Sequence, residues 1–124
     1  MDNIDPMAIM IRFNECINNR DVHGLSELMT KDHVFIDSSD AIHGGGKEVV
    51  ISEWRDFFTM YPDYHNHFSE MIAKDEMVIA YGYSTCSFKP LDGPAIWTAR
   101  VENGLIAEWR VYLDTPENRK KVGL

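Results

Sequence analysis

Cysteine is scarce: Cys16 and Cys86 are the only two in 124 residues. Two cysteines within predicted elements of a chain this size read as free buried thiols rather than a disulfide scaffold, and neither lies near a helix N-terminus that would activate it. Long apolar runs are also lacking, so no segment reads as membrane-spanning. The opening M-D-N-I-D-P lacks the basic and apolar regions of a leader, and a cytoplasmic protein is expected. Basic clusters are missing as well. Twelve Lys and Arg against twenty Asp and Glu leave a formal charge of −8, which repels phosphate backbones and anionic lipid. Nucleic acid and membrane are therefore not expected partners. There is no internal repeat and no low-complexity segment. What is present, 44% hydrophobic and 26% charged residues, fits one globular domain over residues 1–124.

Alternation is strongest near the end of the chain. In Gly104 to Asp114 the odd positions Leu105, Ala107, Trp109, Val111 and Leu113 are apolar, as a half-buried strand requires. The preceding run places Ala95, Trp97, Ala99 and Val101 on one side. A two-residue turn at Asn103 and Gly104 would set the apolar face of one strand opposite the polar face of the other. A three-residue loop, Glu102 to Gly104, is predicted instead, with Trp97 facing Trp109 on the inner side.

Earlier in the chain, Asp5 and Pro6 form a cap and first-turn pair for a helix over about 6–19, with Ile9, Met10, Phe13 and Ile17 at helical spacing. Asp21 caps a short second helix predicted to run to about Met29. His33 to Asp37 reads as a short strand, followed by a loop with Gly44, Gly45 and Gly46. A third helix over about 47–61 carries Val50, Trp54, Phe57, Phe58 and Tyr61 on one face and ends at Pro62. Strands are predicted over about 65–73 and 77–88. The tail from Thr115 is read as one turn or frayed. This order gives an α+β fold, a curved antiparallel sheet wrapped around helices to form a cone-shaped pocket. Its inner positions are Phe13, Ile17, Phe35, Asp37, Trp54, Phe58, Ser84, Trp97, Trp109 and Val111. All but Asp37 and Ser84 are apolar.

N-N-R-D-V-H-G-L at 18–25, V-F-I-D ending at Asp37, Y-P-D at 61–63, and E-N-G-L-I-A-E-W with a later aspartate at 102–114 together resemble the nuclear transport factor 2-like superfamily, in its SnoaL-like bacterial branch. The resemblance implies that Asp37 occupies the position of the proton-shuttling aspartate of ketosteroid isomerases. In an apolar cone such a carboxyl is expected to have a raised pKa; alternatively it bonds its own loop beside Ser38 and Ser39. The isomerases' helix-one tyrosine falls at Phe13 and their protonated strand aspartate at Trp97, so their oxyanion donors are absent. The triad of limonene epoxide hydrolase is absent too, since its members fall at Val111 and near Gly82 and Ser84. Asp114 matches a terminal-strand aspartate that is catalytic in some cyclases, but its parity points away from the cone unless a bulge intervenes.

The candidate catalytic residues are thus Asp37, His43 and Tyr61. The candidate ligand-binding wall is Phe13, Ile17, Phe35, Trp54, Phe58, Ser84, Trp97, Trp109 and Val111. His65 and His67 share a strand face, with Asp63 nearby, but no third ligand stands at a defined spacing and no metal site is assigned. The expected protein is cofactor-free and binds a small apolar or aromatic molecule, either as an acid/base enzyme of isomerase, cyclase or hydratase type or as a non-catalytic ligand-binding or dimerisation module. The outer sheet face, with Ile96, Arg100, Ile106, Glu108, Arg110 and Tyr112, is expected to form a homodimer.

Overall fold

The computed structural model describes residues 5–124; the first four, on which part of the leader reading rests, lie outside them. Helix α1 (Pro6–Asn18) starts where expected: the Asp5 carboxylate accepts from the Met7 N–H at 3.0 Å, and Pro6 occupies a first-turn position that needs no donor. Its stripe Ile9, Met10, Phe13 and Ile17 is buried. In α2 (Val22–Glu27) Asp21 accepts from the Gly24 N–H at 2.9 Å.

Strand β1 (Met29–Ile36) begins four residues earlier than the alternation at His33 indicated, and α2 ends before Met29. The cause is a distant neighbour. Ile106 N–H donates to the Leu28 carbonyl at 2.7 Å, and Met29 stands opposite Ile106, so the last strand of the chain draws Met29 to Asp32 into the sheet. No local periodicity marks that segment.

The remaining elements are β2 (Ile42–His43), α3 (Lys47–Met60), β3 (His65–Lys74), β4 (Met77–Thr85), a 3-10 turn at Lys89–Leu91, β5 (Gly93–Glu102), β6 (Leu105–Leu113) and α4 (Pro116–Val122). The six strands form one sheet in the order β2-β1-β6-β5-β4-β3. Every pairing is antiparallel except β1 with β6, which is parallel and makes the sheet mixed. Helix α1 lies across β3 to β6, and α3 packs against β1 and α2, so α1, α2 and α3 fill the inner side of an α+β layer.

The β5–β6 hairpin differs from expectation in an instructive way. Its turn is the two-residue one, with Glu102 opposite Leu105 and positive φ at both Asn103 (52°) and Gly104 (78°). The resulting mismatch of faces is repaired three residues later. Arg100 pairs with Glu108 while Val101 pairs with Ile106, leaving Ala107 as the extra residue of a β-bulge. Ile106 therefore joins Val101 in the main core, whereas Ala107 does not. Beyond the bulge the predicted inner face is restored, but Trp97 faces Val111 and Trp109 faces Ala99 rather than each other. Both tryptophans are fully buried, bridged by Phe68 at ring distances of 5.0 and 6.4 Å.

A second bulge bends β3 against β4 between Phe68 and Glu70. Gly82 makes it feasible, because a Cβ there would sit 1.9 Å from the His67 carbonyl oxygen. The tail is a formed helix. Thr115 caps α4, Gly123 ends it in the left-handed conformation, and Arg119 forks onto Asp114 at 2.6 and 2.9 Å while lying over the Tyr81 ring. No helix among the described residues is long and apolar enough to cross a membrane.

Candidate functional site

The site grows from the end of β1. After Ile36 the chain turns through Ser38 to Ala41, with Asp40 at φ 68°, and returns as β2 so that His43 pairs with Phe35. Asp37 organises this turn with one oxygen: its Oδ1 accepts from Ser39 N–H at 2.9 Å, Ser39 Oγ at 2.6 Å and Ala41 N–H at 3.1 Å. Its Oδ2 lies 2.9 Å from His43 Nε2. On the other side of the ring, His43 Nδ1 lies 3.2 Å from Oε2 of Glu53, which is two turns into α3. The result is a row of carboxylate, imidazole and carboxylate.

Charge follows from this geometry. With a carboxylate oxygen at each ring nitrogen, only the doubly protonated ring donates at both ends. The hydrogen bond to Asp37 raises the His43 pKa, burial opposes this, and Glu53 reinforces it. For Asp37, burial works against the charged form, but hydrogen bonds from His43, Ser39 and the backbone of Ser39 and Ala41 outweigh it and hold the carboxyl down at about 2. The raised pKa expected for an aspartate in an apolar cone is therefore reversed, because the turn folds its own donors onto Asp37. Asp37 both bonds its loop and faces His43. With His43 protonated the row carries a net charge of −1, and its members are each about one-third to two-fifths exposed.

This row stands on the wall of a cavity of about 370 Å³. Six aromatic rings line it: Phe35, Trp54, Phe57, Tyr61, Tyr64 and Trp109. Val50, Leu91 and Val111 complete the apolar part, Ser38 and Ser39 the polar part, and no lysine or arginine among the described residues contributes. At α3's end Tyr61 stacks on Phe88 at 5.2 Å and packs against Phe57 at 5.1 Å. Tyr64 is buried, and desolvation raises the pKa of its phenol.

The structure thus brings Asp37, His43, Tyr61, Phe35, Trp54, Trp109 and Val111 to one cavity. Phe13, Ile17, Phe58 and Trp97 lie elsewhere, in the packed core, where helix and sheet close without leaving space. Ser84 also turns from the cavity: its Oγ donates to Asn66 Oδ1 at 2.9 Å, in a buried network that continues through Asn66 Nδ2 to Asn14 Oδ1. Asp114 is committed to Arg119. His65 and His67 adjoin on β3, but Asp63 is engaged by Ser87 and Cys86, and no group of three potential metal ligands forms among the described residues. Glu53 is the residue that sequence reasoning missed. Its signal was present, since Val50, Glu53, Trp54 and Phe57 follow i, i+3, i+4, i+7 spacing and so set one carboxylate inside an apolar stripe.

Known structures share this architecture at low sequence identity. A proposed polyketide cyclase from Sinorhizobium meliloti superposes with a TM-score of 0.76 at 17% identity, covering 87% of this chain and 99% of its own. A nuclear transport factor 2-like protein from Cytophaga hutchinsonii gives 0.72 at 12%, covering 99% and 98%. A protein of ketosteroid isomerase-like fold from Catenulispora acidiphila, solved in complex with trimethylamine, gives 0.73 at 15%, covering 94% and 92%. At such identities the likeness establishes the fold alone. None of the curated proteins matches the sequence significantly. The sequence profile of the SnoaL-like domain matches residues 10–109, from the inner stripe of α1 through the bulged hairpin to Trp109. With its mixed sheet and most of its length accounted for, the chain belongs to the SnoaL-like domain family.

Proposed function

We propose that the protein, cytoplasmic and cofactor-free, binds a small apolar or aromatic molecule in the cavity and that His43 exchanges a proton with it, in a reaction of isomerase, cyclase or hydratase type. The observation that carries this reading is the Asp37–His43–Glu53 row on the wall of an otherwise apolar and aromatic cavity. Both ring nitrogens face carboxylates in the resting row, so the ring becomes reactive when the Nδ1 proton passes to solvent and the ligand takes the place of Glu53 at Nδ1. The neutral ring, its Nε2–H kept on Asp37, then takes the proton from carbon, and the imidazolium so formed returns a proton, or a deuteron gained from solvent, to that carbon. Asp37, with a pKa of about 2, is too weak a base to take a proton from carbon. Its part is to raise the proton affinity of His43, as is that of Glu53. Tyr61, packed between Phe57 and Phe88, lines the same cavity.

The test is a thermal-shift screen of small aromatic ketones, followed for each hit by NMR detection of deuterium exchange at the carbon next to the carbonyl. Exchange by the wild type that is lost in His43→Gln while binding persists is the expected result. Binding without exchange above the His43→Gln level would instead identify a non-catalytic binding module. That second reading has its own support, since three donors already occupy Asp37 Oδ1.

Two copies are proposed to associate through the outer sheet face, where Arg100 pairs with Glu108 across strands, Arg110 lies over Tyr112, and Tyr83 is 46% exposed. Sedimentation should then return twice the 14.3 kDa of one chain, and a monomer at micromolar concentration would refute the association.

A further inference from the structure

The cavity's charge and its rings point the same way. Asp37 and Glu53 supply two carboxylates against one imidazolium, and no lysine or arginine among the described residues lines the space. Glu53 Oε2 faces His43, while Oε1 receives no hydrogen bond from any described residue. The rings of Phe35, Trp54, Phe57, Tyr61, Tyr64 and Trp109 enclose the rest. Aromatic faces attract cations, most strongly where the ammonium is desolvated. An anionic ligand would meet only the row's net negative charge. A neutral apolar ligand would leave the free oxygen of Glu53 without use. At −8 overall, the chain also draws cations toward its surface.

We propose that the cavity takes a primary amine in its ammonium form, its N–H donating to Glu53 Oε1 and its aromatic or apolar body lying among the six rings. This assignment rests on the reading of the cavity as a small-molecule site and names the class of molecule it holds. The volume of about 370 Å³ suits a single-ring body with a short chain, at the small end of ligand pockets.

Three molecules of nearly equal shape separate charge from size: 3-phenylpropylamine, 3-phenyl-1-propanol and 3-phenylpropanoate. Isothermal titration at pH 7 and low salt should give the amine at least tenfold tighter binding than the alcohol, with the carboxylate weakest. Glu53→Gln should shrink the amine's advantage over the alcohol to under about threefold, its folding verified by an unaltered urea midpoint. As a second measurement on the wild type, raising salt from 20 to 500 mM should weaken the amine and spare the alcohol. Equal affinity for all three, or tighter binding of the alcohol or carboxylate, overturns the amine assignment and leaves the small-molecule reading standing. Binding of none of them, together with no hit in the ketone screen, overturns both.

Discussion

Acid should destabilise this protein through His33, a residue outside the cavity. Its side chain is fully buried, with Nδ1 2.6 Å from the Ile106 carbonyl oxygen. An acceptor there requires Nδ1 to carry the proton, and Nε2 has no hydrogen-bond partner among the described residues. The ring lies 5.8 Å from Phe13 in the apolar core. Burial lowers its pKa from 6.5 to about 4, against a small opposing contribution from the Ile106 carbonyl. The native state therefore stays neutral where the unfolded chain takes a proton. Stability falls as pH drops below about 6.5, and the loss is complete only below the folded pKa of about 4. The gap corresponds to about 3 kcal/mol in all and about 2 kcal/mol by pH 5, a large share of an ordinary domain's stability. Other groups titrate in the same window, His43 with the opposite sign because its folded pKa is raised, so the assay compares wild type with His33→Leu. Urea unfolding at pH 7.5 and 5.0 gives the slope for each. The variant should be less stable at pH 7.5, since the Ile106 carbonyl loses its donor, yet lose about 2 kcal/mol less on acidification. Equal slopes within about 0.5 kcal/mol would refute the buried neutral histidine.

Three other perturbations probe separate parts of the account. Gly82→Ala places a Cβ against the His67 carbonyl, so thermal or urea unfolding should show a loss above about 2 kcal/mol, and a near-neutral result would contradict the second bulge. Trp97→Ala, which empties a fully buried site beside Phe68, should cost about 3–5 kcal/mol by urea unfolding, and a loss under about 1 kcal/mol would contradict its close packing. Deleting Ala107 removes the unpaired residue, so that Val101–Ile106 and Arg100–Glu108 follow one another with their faces matched; cooperative urea unfolding should persist within about 2 kcal/mol of the wild type, whereas loss of cooperative folding would contradict this register.

Much of the fold can be read from local chemistry. Asp5, Asp21 and Thr115 are helix caps because their side chains satisfy open N–H groups, and each performs that role. Alternation located Trp97 and Trp109 on the inner face correctly. It could not locate the bulge, because Ile106 and Ala107 are both apolar and either could face inward. The sheet partnership that makes Met29 a strand residue lies 77 positions away at Ile106, beyond any local pattern. The site was legible in part for the same reason. Asp37 and His43 stand out as polar groups near a cone mouth, but their protonation depends on Ser39, Ala41 and Glu53, which only the folded turn and α3 bring within reach.

The central claim is that His43 is held as a cation between Asp37 and Glu53. An NMR titration of its ring protons from pH 4 to 9 tests this directly. The account predicts a His43 pKa above the ordinary 6.5, falling in both Asp37→Asn and Glu53→Gln. A value at or below 6.5 in the wild type, or one that neither substitution lowers, would contradict it.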